Sequence, residues 1–243
     1  MNFNQLLNDG FAFLKLNNYA ALASLQNLVK QFLQFEPTHW HLHVNSQDKH
    51  HQLIVELSNR IAESNGLLHL TREHLPILIE LCGPDIDVQK VPDLRITRPL
   101  QKKDIVNWHR DTFYEGSPWQ LNLWLPIFEL SKGAGLLLIP GSHRLPSLNI
   151  RKNLNTQHPS DMVDDAISDI KLEQVQLITP SVGEAVLFFG CAIHRAVNIS
   201  KDTRLSIDIR FRSAQISDRE NEFYRPLCRG LMGTCVSDFL QND

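Results

Sequence analysis

Four side chains have the types and spacing for metal and co-substrate chemistry: His109, Asp111, His194 and Arg204. The stretch "NWHRDTFYEGSPWQLNLWLP", residues 107–126, places His109 and Asp111 two apart ahead of a strand-like run. On a strand, positions i and i+2 point to the same side, so this pair can clamp one edge of an octahedral ion. Two histidines and one carboxylate make a facial triad, which holds non-haem Fe(II) and leaves three positions open. The third ligand must arrive from a distant strand, and "GEAVLFFGCAIHRAVNISKDTRLSIDIRF" offers His194 after an apolar run. Arg204 opens the next strand. A guanidinium there gives the fixed, bidentate fork that the far carboxylate of a dicarboxylate co-substrate requires. Ser206 lies on the same strand face and adds a hydroxyl donor.

Each residue also has an ordinary reading. A chain with 11 histidines can contain one His-x-Asp by chance. His194 can simply end a strand, and Arg204 can be a surface cation in a polar loop. What argues for function is their joint occurrence, in one order, on alternating strand patterns. Two further histidine groups compete. His39, His41 and His43 alternate in "HWHLHVNSQDKHH" and would share one face of a strand. No carboxylate sits at a matching step, so a His-rich strand without metal is the favoured reading. His143, in "LLLIPGSHR", follows a tight Pro-Gly-Ser turn and is a candidate substrate contact, although turn geometry alone explains Pro140, Gly141 and Ser142. The chain has no G-x-S-x-G nucleophile elbow and no Walker or dinucleotide fingerprint.

Helical periodicity marks 17–35, with Asn17 or Asn18 as cap, then 51–64, then 71–83 with Thr71 as cap and Pro76 inside it. "GFAFLKL", residues 10–16, reads as a short strand with Phe11 and Phe13 on one face. From about residue 85 the period shifts to strands, expected at 86–91, 93–98, 104–109, 119–125, 134–139, 174–179, 184–189 and 204–212. Gln120, Asn122 and Trp124 share one face opposite Leu121, Leu123 and Leu125, which suits either the inside or the outside of a barrel mouth. Residues 143–173 form a long polar insertion of the kind that carries lids, with "PSDMVDDAISDI" as a short acidic helix. The expected organisation is one domain over 1–243: helical support in 1–84, a β core in 85–215, and a C-terminal tail in 216–243. The fold class is α+β, mainly β, with a helical layer packed on the sheet.

Composition limits the partners. At 42% hydrophobic and 21% charged, the chain is an ordinary globular protein. A net charge of -3 argues against a general nucleic-acid binder. No membrane span or secretory signal is visible, and the four cysteines are scattered, so reduced thiols and a cytoplasmic location are expected.

The stretches "GFAFLKLNNYAALASLQNLVKQFL", "VNWHRDTFYEGSPWQLNLWLPI", "GAGLLLIPGSHR" and "GEAVLFFGCAIHRAVNISKDTRLSIDIRF" together resemble the Fe(II)/2-oxoglutarate-dependent oxygenases, in particular the phytanoyl-CoA dioxygenase-like family. The "HRDTFYEGSPWQLNLWLP" version is also similar to a branch found in carbohydrate and natural-product pathways. The resemblance implies a double-stranded β-helix (jelly roll) with iron at its mouth. His109, Asp111 and His194 would hold Fe(II), while Arg204, Ser206 and Asn122 would contact 2-oxoglutarate. With O2, such a protein would hydroxylate a small polar metabolite or sugar-type substrate and release succinate and CO2. Related halogenases lack the carboxylate ligand, so Asp111 points to hydroxylation. The alternative is a jelly-roll or cupin-like binding protein without oxygenase chemistry, which needs no cation at Arg204. The residues leave the substrate, the carbon attacked and the oligomeric state open.

Overall fold

A computed structural model describes residues 1–113, 119–145, 151–152, 162–163, 172–215 and 223–234. A seven-stranded antiparallel sheet faces a three-stranded one. The strands of the large sheet are β1 (Phe11–Lys15), β2 (Ile86–Gln89), β3 (Asp93–Thr97), β4 (Leu121–Pro126), β9 (Glu184–Phe189), β11 (Arg204–Ser213) and β12 (Tyr224–Cys228). They pair in the order β1-β9-β4-β11-β2-β12, with β3 pairing β11 beside β2. The small sheet runs β10-β5-β8, from His194–Asn198, Ala134–Leu138 and Gln176–Ile178. A two-stranded ribbon joins β6 (Arg151–Lys152) to β7 (Met162–Val163). This is a double-stranded β-helix with a helical layer, the α+β, mainly-β architecture expected from the sequence.

Alternation along the strands assigns the two faces. Leu121, Leu123 and Leu125 of β4 join Leu205, Ile207 and Ile209 of β11, and Leu94 and Ile96 of β3, in one large core. The helices α1 (Phe3–Asp9), α2 (Tyr19–Leu33), α4 (Gln47–Glu63), α5 (Gly66–Arg72) and α6 (Leu75–Cys82) bury their apolar stripes in that core, through Leu6, Leu22, Leu25, Val29, Leu57, Ile61, Leu70 and Leu78. The opposite face of the large sheet looks into the β-helix. There Trp124, Phe11, Val186 and Phe188 pack on Leu136, Leu138 and Ile178 of the small sheet. The Gln120–Asn122–Trp124 face is therefore the inner one.

Several expected elements differ. The 71–83 helix is two helices, because Pro76 occupies the first turn of α6 and His74, not Thr71, stands at its N-cap. Thr71 instead lies in α5 and donates its hydroxyl to the Leu68 carbonyl. The 104–109 segment is not a strand; a 3-10 turn at Lys102–Asp104 precedes an irregular run that pairs only at His109. Residues 39–43 are helical, a 3-10 turn (Pro37–His39) leading into α3 (Trp40–His43), so their three histidines do not share a strand face. His41 contacts the Thr203 hydroxyl at 2.9 Å, and His43 stacks on Phe35 at 4.2 Å. The 216–243 segment is more than a tail, since β12 belongs to the large sheet. Helix α1 and strands β10 and β12 had no distinct sequence signal. Most of the 143–173 insertion, including most of "PSDMVDDAISDI", lies outside the described residues, as does Cys235. Cys82, Cys191 and Cys228 are free thiols. Among the described residues, no helix is long and apolar enough to cross a membrane.

Candidate metal centre

His109 and His194 meet through a single antiparallel bridge. The backbone N–H of each donates to the carbonyl of the other at 3.0 Å, and their rings lie 4.3 Å apart. Asp111 does not continue a strand. It starts a 3-10 turn (Asp111–Phe113), pinned by its own N–H to the Gly190 carbonyl at 2.8 Å. That turn brings its carboxylate between the two rings. Its oxygens lie 3.7 Å from His109 Nε2 and 3.6 Å from His194 Nε2. One ligand atom from each of the three residues falls within 4.8 Å of the others, and all three residues are buried.

Both imidazoles are fixed in one tautomer. Nδ1 of His109 lies 2.6 Å from the Asn107 carbonyl, and Nδ1 of His194 lies 3.0 Å from the Ala192 carbonyl. A carbonyl only accepts, so Nδ1 carries the proton and Nε2 keeps its lone pair towards Asp111. Burial, then the neighbouring His109, pushes the His194 pKa down to about 4, so the ring is neutral at pH 7. Burial alone would push the Asp111 carboxyl up, but His194, His109 and Arg210 outweigh it and hold it well below the usual carboxylate range. Two imidazole Nε2 atoms and one carboxylate are the donor set that a divalent first-row metal takes.

A chain of amides holds the carboxylate in place. Asn122 donates its Nδ2 to Asp111, Gln120 donates to Asn122 Oδ1 at 2.8 Å, and the Tyr224 hydroxyl reaches Gln120 at 3.5 Å. On the other side Arg210 lies 3.5 Å from Asp111 and 2.8 Å from Asp93. The sequence marks Gln120 by the strand face it shares with Asn122 and Trp124, and Arg210 by the face it shares with Arg204 and Ser206; Tyr224 carries no motif of its own.

A small cavity leads from the three residues to Arg204, past Trp124, Leu136, Ala196 and Asp208. Arg204 is buried, donates to the Gly135 carbonyl at 2.8 Å and to the Thr97 hydroxyl at 2.9 Å, and lies over the Trp124 ring at 5.6 Å. Burial lowers its pKa to about 10, which leaves it charged at pH 7. Its Nε, the Ser206 hydroxyl and one Asp208 oxygen are buried with no hydrogen-bond partner among the described residues. Unpaired buried polar groups are costly, so orphans collected along one strand face mark a place built for a polar ligand. His143 plays no part in this group. Its Nε2 donates to the Leu7 carbonyl at 3.1 Å, and its ring stacks on Phe189 at 5.3 Å.

No protein-family model matches the sequence, and no curated protein does either. The fold, however, is similar to solved structures. A non-heme monooxygenase, ThoJ, is 14% identical, with a TM-score of 0.61 over 98% of this chain and 93% of that one. EvdO2 from Micromonospora carbonacea var. aurantiaca, solved with 2-oxoglutarate, is 16% identical, with a TM-score of 0.63 over 90% and 93%. The non-heme alpha ketoglutarate dependent epimerase SnoN, from nogalamycin biosynthesis, is 14% identical, with a TM-score of 0.55 over 93% and 95%. The chain thus has the β-helix fold of these non-heme enzymes, and it carries a buried His-Asp-His group within that fold.

Proposed function

We propose that this protein is a non-haem Fe(II)- and 2-oxoglutarate-dependent oxygenase. The observation that carries the reading is the convergence of His109, Asp111 and His194 at one end of a cavity whose other end is the buried cation Arg204. A binding module needs no such cation. The fold likeness to enzymes described as a monooxygenase and as an alpha ketoglutarate dependent epimerase supports it.

His109, Asp111 and His194 would hold the metal through two Nε2 atoms and one carboxylate, and would leave the remaining positions for the co-substrate and O2. Bound there, iron would supply the oxidising chemistry with O2 as oxidant, one oxygen atom going into succinate as 2-oxoglutarate loses CO2 and the other to the substrate. The protein's own residues position and exclude. Arg204 uses two of its five N–H groups on Gly135 and Thr97, so the others remain for the far carboxylate of 2-oxoglutarate, with Ser206 as a further donor. Asn122 was expected to touch the co-substrate; its bond to Asp111 supports a positioning role for the ligand carboxylate instead. Trp124, Leu136 and Ala196 supply dry walls that strengthen the charge pairing.

The reaction favoured is hydroxylation of a small molecule, because Asp111 fills the position a halogenase must leave for a halide. An epimerase shares this fold, so the fate of the substrate radical depends on its placement. The test is succinate formation from 2-oxoglutarate with Fe(II) and O2, followed by product analysis under labelled O2. One labelled oxygen in the product supports hydroxylation. Label recovered only in succinate points to epimerisation or desaturation, and no succinate under any condition contradicts the proposal.

A further inference from the structure

The large groove beside the metal cavity has a cation, Arg95, at its inner end, whose ion pair among the described residues is a loose one. The groove has a volume of about 810 Å³ and runs between α4 and the edge strand β3. It shares Arg95, Asp104 and Val106 with the metal cavity, so the two spaces meet at those residues. Its apolar lining includes Ile54, Val55, Val91, Pro92 and Phe223. Val55, Val91 and Phe223 are large apolar side chains left 47%, 40% and 63% exposed. Exposed apolar side chains gathered in one concavity mark a surface meant to be covered.

The charges decide what covers it. Both acids of the groove are already engaged. Asp104 is gripped by Arg98 through two bonds of 2.8 Å, and Asp93 has Arg210 at 2.8 Å. The cations are not. Among the described residues Arg95 has one loose ion pair, 3.8 Å to Asp93, and its side chain is 37% exposed. Lys102 and Lys103 line the groove with no ion-pair partner among the described residues. Asp208 lines the metal cavity with Arg95, but no ion pair joins the two among the described residues. Asn122 and Arg210 are committed to Asp111, and Gln120 to Asn122, so the polarity of the inner face does not by itself describe the substrate.

We propose that this groove is the substrate site, that it takes an amphiphilic anion with an apolar body and a carboxylate or phosphate head, and that Arg95 binds the head beside the metal cavity. A planar guanidinium suits either oxyanion, and Lys102 and Lys103 add longer-range attraction at the rim. The inference rests on the oxygenase reading for what happens to the ligand, but not for whether it binds.

The test is calorimetric titration with three probes of similar body: phenyl phosphate, benzoate and the neutral benzyl alcohol. Each is titrated into the chain alone and into the chain loaded with Ni(II) and 2-oxoglutarate. At least one anion is expected to bind tenfold or more tighter than benzyl alcohol, and the tighter of the two names the head group. Arg95→Met should weaken that anion tenfold or more and leave 2-oxoglutarate affinity unchanged. Arg95→Lys should recover part of the loss, and Lys102→Met with Lys103→Met should weaken the anion by a few-fold and flatten its salt dependence. Equal binding of the alcohol, undiminished anion binding in Arg95→Met, or a matching loss of 2-oxoglutarate affinity each overturns the proposal. A wild-type chain that binds the anion but neither Ni(II) nor 2-oxoglutarate would instead overturn the oxygenase reading.

Discussion

The buried cation and the buried carboxylate carry the most specific expectations at the residue scale. Among the described residues Arg204 has no acidic partner within bonding distance; its bonds there go to a carbonyl and a hydroxyl. Removing one partner of a desolvated charge pair costs about 2–5 kcal/mol, so Arg204→Ala should weaken 2-oxoglutarate binding by that order while metal binding persists. Titration of the Ni(II)-loaded variant checks this, and unchanged affinity would move the clamp elsewhere. Asn122 works through Asp111. Loss of such an outer contact lowers metal affinity about 10–100-fold, so Asn122→Ala should show that loss in a competition titration against a chelator. The candidate residues were legible in the sequence because the spacing His109-x-Asp111 and the position of Arg204 survive without any structure. The local geometry was not. Asp111 reaches the site by a 3-10 turn tied to Gly190, a contact between segments that no periodicity reveals.

At the scale of elements, the small sheet and the loop before His109 impose separate constraints. Gly135 of β5 offers its carbonyl to Arg204, and a Cβ there would sit 2.5 Å from the Ile178 carbonyl of β8. Gly135→Val should therefore both destabilise the small sheet and weaken 2-oxoglutarate binding, measurable as a lower Tm together with a higher Kd. The loop after β3 is anchored by a buried cluster: Arg98 on Asp104, and His50 beside Asp104 at 3.5 Å. Trp40 Nε1 donates to His50 Nδ1 at 2.9 Å, which fixes His50 as the neutral tautomer. Burial lowers the His50 pKa, and Arg98 holds Asp104 below the usual range despite burial. Both folded values lie below the unfolded ones, so both groups lose stability as pH falls: His50 from about 6.5 downward, Asp104 below about 4. Tm should drop between pH 7 and 5, and less so in His50→Leu; a flat wild-type profile would contradict this. Amphipathic helices and inner-outer alternation were readable because core burial writes them into the sequence. Strand β10 was not, since it begins at His194 within a polar run, and β12 falls beyond the last clear alternation.

For the whole molecule, the architecture explains why the candidate site sits where it does. The helical layer takes the outer face of the large sheet, which frees the inner face for charged and polar side chains that an ordinary core excludes. The small sheet then closes over that face and brings His194 of β10 opposite the loop that carries His109 and Asp111. A single metal site with one co-substrate chelated to it is the central claim. The most direct measurement is an anaerobic titration of the chain with Fe(II) in excess 2-oxoglutarate, following the visible charge-transfer absorption of a 2-oxo acid chelated to Fe(II). The account predicts an absorption that saturates at one Fe(II) per chain, disappears in His194→Ala and Asp111→Ala, and needs a higher 2-oxoglutarate concentration in Arg204→Ala. No absorption in the wild type, or an undiminished one in His194→Ala, would contradict it.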